Sequence, residues 1–76
     1  LKLDKTMVDD VADNPKTRRI VKTIAQLCRE MGIKLIAEGI EKEEQLTALK
    51  GCGVELVQGF LFSRPIPIEE YEKKYL

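Results

Sequence analysis

Apolar and polar positions along this chain alternate between two periods. Residues 1–4, LKLD, place apolar and charged side chains in turn, which predicts the tail of a strand. The chain starts inside that strand with no lead-in, which suggests a piece of something longer. Residues 5–13 are predominantly polar and predict a connection. Asn14 and Pro15 then supply a helix N-cap and a first helical residue. Ile20, Val21, Ile24, Leu27, Cys28 and Met31 follow at helical spacing and predict one apolar face, stopped by Gly32.

A near-continuous apolar run at 33–39, IKLIAEG, predicts a strand covered on both faces. A second helix is expected over Lys42–Lys50, with Glu43 and Glu44 in the first turn where its dipole favours acids. Leu46 and Leu49 face inward, and Gly51 or Gly53 ends it. Residues 54–60, VELVQGF, predict a third strand. SRPIP, at 63–67, reads as a loop because prolines do not extend a sheet or helix interior. IEEYEKKYL predicts a short C-terminal helix with Ile68, Tyr71 and Tyr75 on its apolar side.

Strand, helix, strand, helix, strand, helix implies an α/β fold of parallel strands joined by right-handed crossovers. An open doubly wound sheet and a (β/α)₈ barrel both fit that order, and both bind ligands beyond the C-terminal strand ends. Three such units are three-eighths of a barrel.

Composition narrows the function classes. The chain has 76 residues, 43% apolar and 34% charged, with 13 basic residues balancing 13 acidic ones. That balance offers no electrostatic reason for binding a nucleic-acid polymer or a membrane surface. No apolar run approaches the ~20 residues of a bilayer span, and no signal peptide opens the chain. With no histidine and only Cys28 and Cys52, a four-ligand Cys/His zinc site is excluded. Both cysteines read as reduced packing residues in a cytoplasmic protein.

The strand ends carry the candidate chemistry. Side chains alternate along a strand, so Lys34, Ile36 and Glu38 share one face, as do Val54, Leu56 and Gln58. With Lys2 on the first strand, a cation, an anion and an amide can line one patch about 10 Å across. Such a set suits a phosphate ester and an activated water. Each residue also has a plain structural reading: a solvated lysine for Lys2, a loop-bridging acid for Glu38, a first-turn or bracing acid for Glu41, and a backbone-satisfying amide for Gln58. No glycine-rich phosphate loop, nucleophile elbow or HExxH motif is present.

The set LKLDKTMV, KLIAEGIE, EEQL and VQGFLFSRP, in this order, resembles the last third of the EAL-domain cyclic-di-GMP phosphodiesterases over essentially all 76 residues. The resemblance implies the last three units of a modified TIM barrel, commonly dimeric. It implies hydrolysis of cyclic di-GMP to pGpG with two divalent ions, magnesium or manganese, and inhibition by calcium. Lys2 matches the lysine of the family's KID motif, which contacts the attacking water and the phosphate. Glu38 matches the first glutamate of AEGVE, a general base or partner of the metal-bound water. Glu41 matches the second, a support for a neighbouring metal-bearing loop. Gln58 matches the glutamine on the substrate and water side. The EAL signature and the DDFG loop, which carry the principal metal ligands, are not among these residues, so no metal ligand is assigned and the isolated chain is expected to be inactive. Met7 stands where phenylalanine is frequent. Lys42 stands where a threonine cap worth about 1 kcal/mol is frequent. A degenerate EAL domain that binds cyclic di-GMP or a protein without catalysis, and a separate small α/β interaction module, are the alternatives.

Overall fold

The computed structural model describes residues 1–58 and 65–75. The expected extension of the third strand through Gly59 and Phe60, residues 63 and 64 of the expected loop, the Tyr75 side chain and Leu76 lie outside the described residues.

Eight elements follow in order: β1 (Lys2–Leu3), α1 (Lys5–Asp10), α2 (Pro15–Met31), β2 (Ile36–Glu38), α3 (Glu43–Gly51), β3 (Leu56–Gln58), β4 (Ile66–Pro67) and α4 (Ile68–Tyr75). They build one four-stranded sheet of order β1-β2-β3-β4. β1 pairs parallel with β2, and β2 parallel with β3, as the strand–helix order predicts. The strands are shorter than expected, although the Ile36 N–H also donates to the Leu1 carbonyl at 2.8 Å.

Two elements depart from the sequence expectation. The polar stretch after β1 contains a helix. Asp4 caps it, accepting from the Thr6 backbone N–H at 3.4 Å and the Thr6 hydroxyl at 2.9 Å. Val8 on this turn and Val11 just after it are fully buried, and Met7 packs beside them, so two β-branched anchors outweigh the polar composition. The second departure is β4. Ile66 and Pro67 were expected in a loop, yet they pair antiparallel with Val57 and Leu56. Pro67 is tolerated because β4 is an edge strand, where a missing donor costs no ladder bond. The next N–H, of Ile68, donates to the Glu55 carbonyl at 2.9 Å.

The expected helix caps are in place. Asn14 accepts from the Lys16 N–H at 3.0 Å, Pro15 opens α2, and Gly32 closes it at φ 71°. α3 begins after Lys42, whose side chain makes no cap bond, and Glu43 and Glu44 occupy the first turn.

One register row, Leu3–Ala37–Val57–Ile66, crosses the sheet and is buried throughout. Val8, Val21, Ala25, Leu46, Leu49 and Ile68 cover it. The opposite row, Ile36 and Leu56 among it, is half-exposed, so β2 is covered on one face and not on both as expected. The α2 stripe also divides. Val21, Ala25 and Cys28 are buried, whereas Ile20, Leu27 and Met31 are 50%, 54% and 63% exposed. The apolar arc is wider than the sheet it lies on, and its outer margin is left about half-exposed. No described helix is long and apolar enough to cross a membrane.

Cys28 and Cys52 are both free and buried. Burial pushes the Cys52 thiol up, partly offset by the nearby cations of Arg18 and Lys22. The folded thiol therefore titrates above the unfolded one. Its contribution to stability is intact below the ordinary thiol value and is lost as pH rises through the raised folded value. Both thiols are expected to resist a water-soluble disulfide reagent at neutral pH and to react stoichiometrically once the protein is unfolded. Rapid labelling of either one in the native protein contradicts this packing.

Candidate active-site rim

Parallel pairing brings the C-terminal ends of β1, β2 and β3 to one side of the sheet. Partners in register on adjacent strands project to the same face. Lys2 pairs with Ile36, and Glu38 lies two residues further along β2, so Lys2 and Glu38 share the face opposite the helices. The Lys2 Nζ lies 2.9 Å from the Glu38 Oε1, with the two side chains 58% and 41% exposed. An ion pair this exposed contributes little to stability. Its significance is the placement of the two charges. Gln58 is the register partner of Glu38, and its backbone carbonyl accepts from the Gly39 N–H at 3.3 Å. The structure thus brings Lys2, Glu38 and Gln58 to one rim, as the alternation of side chains predicts.

The segment after Glu38 turns away sharply. Gly39 has φ 74°, a left-handed conformation that L side chains rarely adopt. A Cβ there would sit 3.2 Å from both Cγ and Cδ of Lys5. Two residues on, Glu41 Oε1 accepts from Lys5 Nζ at 2.6 Å. The same ammonium donates to Asp9 at 3.0 and 3.3 Å. The hydrogen bond to Glu41, then that to Asp9, holds the Lys5 ammonium above the usual lysine range. Glu41 is also held by its backbone: its N–H donates to Gln45 Oε1 at 2.8 Å, and the Lys42 N–H donates to the same oxygen at 3.2 Å. Gln45 is the one buried polar side chain among the described residues, at 4% exposure.

The Lys5–Glu41 contact thus links the segment following β1 to the segment following β2. Sequence reading assigned it a supporting role but missed its partners. Gln45 was within reach, because Gln three residues after an N-cap is half of a capping box. Lys5 carried no local signal, since its contact with Glu41 spans 36 residues. Asp4, grouped with Lys2 by alternation, serves as the α1 cap.

No group of three or more Cys, Asp or Glu side chains among the described residues is placed to hold a metal ion. The Glu38 carboxylate is engaged by Lys2. These residues do not make a metal centre by themselves. A concavity of about 160 Å³, lined by Cys28, Arg29, Gly32, Leu35 and Gly53 among others, lies at the N-terminal ends of β2 and β3, away from the rim.

The sequence profile of the EAL domain matches residues 1–65. The signaling protein YkoW of Bacillus subtilis is 41% identical over 75 residues, covering 96% of this chain and 9% of that protein. The cyclic di-GMP phosphodiesterase RocR of Pseudomonas aeruginosa is 34% identical over 71 residues, covering 93% of this chain and 18% of that protein. Among solved structures, Klebsiella pneumoniae BlrP1 superposes with a TM-score of 0.75 and 37% identity, over 88% of this chain and 17% of that one. BlrP1 was solved with cyclic di-GMP together with manganese and, separately, with calcium. The chain spans less than a fifth of the length of each of these relatives.

Replacing Gly39 is the direct test of the turn that ends the rim. Gly39→Ala is expected to destabilise the protein by about 1–2 kcal/mol, from the left-handed backbone alone, with the Lys5 stem displaced in addition. Chemical denaturation reads the loss, and an unchanged midpoint contradicts the turn geometry.

Proposed function

The chain belongs to the EAL-domain family, and on that footing we propose that it forms the C-terminal third of a barrel that hydrolyses cyclic di-GMP to pGpG. The observation that carries the proposal is the Lys2–Glu38 pair at 2.9 Å with Gln58 in register beside it, at the C-terminal ends of three parallel strands. Ligands of parallel α/β folds sit beyond that end. RocR, named a cyclic di-GMP phosphodiesterase, and BlrP1, solved with that dinucleotide, support the substrate.

In this reading each rim residue has a distinct task. The Lys2 ammonium faces the scissile phosphate and offers N–H donors to its oxygens. Glu38 accepts a proton from the attacking water, its carboxylate lying on the open rim beside the Lys2 ammonium. The Gln58 amide, which can both donate and accept, orients substrate or water on the third strand. Gly39 lets the chain leave the rim directly after Glu38, and Glu41 keeps the departing segment in place.

Divalent ions, magnesium or manganese, polarise the phosphodiester and lower the pKa of a bound water when present. The BlrP1 complexes with manganese and calcium support the use of divalent ions. The described residues provide no metal centre, so the ions would rest on ligands elsewhere in a complete domain. The isolated 76 residues are accordingly inactive in this proposal. A homodimeric cytoplasmic parent is proposed on the family resemblance.

The test uses a complete EAL domain carrying these residues, with cyclic di-GMP and manganese, and chromatography of the products. Formation of pGpG is expected, and Glu38→Gln is expected to lower kcat by about 10²–10⁴-fold, the usual contribution of a positioned acid–base group. Undiminished turnover by Glu38→Gln removes Glu38 from the chemistry, and turnover by the isolated chain refutes its proposed dependence on the rest of the barrel. Tight binding without turnover identifies a non-catalytic member of the family.

A further inference from the structure

We propose that Lys5 and Gln45 are positioning residues for the segment carrying Glu38 and Glu41, Lys5 clamping the Glu41 side chain and Gln45 its backbone. The proposal rests on the reading of Glu38 as the catalytic carboxylate, and it assigns roles to two residues outside the rim.

Only two residues separate Glu38 from Glu41, and the first of them is the left-handed Gly39. A glycine hinge at that point gives the segment freedom that something else must remove. Four contacts from three elements do so. The Gly39 N–H donates to the Gln58 carbonyl at 3.3 Å, which ties the hinge to β3. The aliphatic stem of Lys5 lies over Gly39, close enough that a Cβ would meet it at 3.2 Å. The Lys5 ammonium reaches Glu41 Oε1 at 2.6 Å. Gln45 Oε1 accepts from the N–H groups of Glu41 and Lys42 at 2.8 and 3.2 Å.

Lys5 is itself held. Asp9, one turn later on α1, takes two of its ammonium contacts and fixes the direction of the side chain. α1 is in turn anchored by Val8 at zero exposure. Lys5 thus transmits the position of a packed helix to a solvent-facing segment. Gln45 does the same from α3, where Leu46 and Leu49 provide the anchorage.

The Lys5 contacts are too exposed to matter much for stability: the Lys5 and Glu41 side chains are 48% and 57% accessible. Their effect is geometric. Displacement of a catalytic group by 1 Å costs on the order of 10²-fold in rate, so a clamp that adds little to stability can still govern turnover.

The test compares Lys5→Met, Lys5→Arg, Gln45→Ala and Gln45→Glu in a complete EAL domain. It measures kcat and KM for cyclic di-GMP, the thermal midpoint, and hydrogen exchange of the Ile40–Lys42 amides. Lys5→Met keeps the stem and removes the amine. It is expected to lower kcat by at least about tenfold, leave KM within about twofold, leave the melting temperature nearly unchanged and accelerate exchange at Ile40–Lys42. Lys5→Arg retains a cation of similar reach and is expected to restore both kcat and protection. Gln45→Ala is expected to lower kcat and speed exchange at Glu41 and Lys42, and Gln45→Glu, which offers an acceptor at the same place, to recover both. Unchanged kcat and exchange in Lys5→Met overturn the proposal. So does a fall in melting temperature with kcat intact, which would leave Lys5 a structural residue only. If the unsubstituted domain shows no turnover, the catalytic reading fails by itself. The exchange comparison then decides the clamp: faster exchange in Lys5→Met supports it, and equal exchange refutes it.

Discussion

The in-register parallel pairing of β1, β2 and β3 is the constraint on which the rest depends. A strand has two faces and a period of two, so a one-residue slip would send Glu38 to the buried side and Ala37 to the open side. The row Leu3–Ala37–Val57–Ile66 resists that slip, because every member is buried beneath the helices. Burying an aliphatic side chain contributes about 1.5–3 kcal/mol, so moving Leu3, Val57 and Ile66 to the open face is prohibitive. The apolar row thereby fixes the polar one. Lys2, Glu38 and Gln58 need no strong mutual attraction to meet, and the exposed ion pair at 2.9 Å follows from packing on the other face.

Stability and candidate chemistry occupy separate territory. Among the described residues the buried side chains are apolar with one exception, Gln45, and that exception serves the segment following Glu38. The groups at the rim are half-exposed and contribute little to holding the sheet together. Such a division leaves the rim free to change its residues without endangering the fold, as expected of sites built at the C-terminal ends of parallel strands.

Much of this was legible in the sequence, and the exceptions share a cause. α2 announced both ends, since Asn14, Pro15 and Gly32 each satisfy a local backbone requirement. The meeting of Lys2, Glu38 and Gln58 followed from period two and strand order. The short helix α1 was missed because its composition is polar and its stability comes from Val8 and Val11 buried against distant elements. β4 was missed because proline is excluded from central strands but tolerated on an edge, and only the tertiary fold says which is which. Ile20, Leu27 and Met31 fitted one helical face by spacing, yet spacing does not reveal how wide a sheet that face meets. The Lys5–Glu41 contact joins residues 36 apart and leaves no local trace.

These residues make up less than a fifth of YkoW and of RocR, and the family membership they establish reaches further than the geometry they supply. The geometry supplies one rim, built from three strands and held by its loops. An experimental structure of a complete EAL domain carrying these residues, determined with cyclic di-GMP bound, measures that rim directly. The expected result has Lys2, Glu38 and Gln58 on the same side of a parallel β1–β2–β3 sheet, all facing the dinucleotide. Finding any of the three on the helix-covered face, or the ligand bound at the opposite end of the strands, would contradict the assignment.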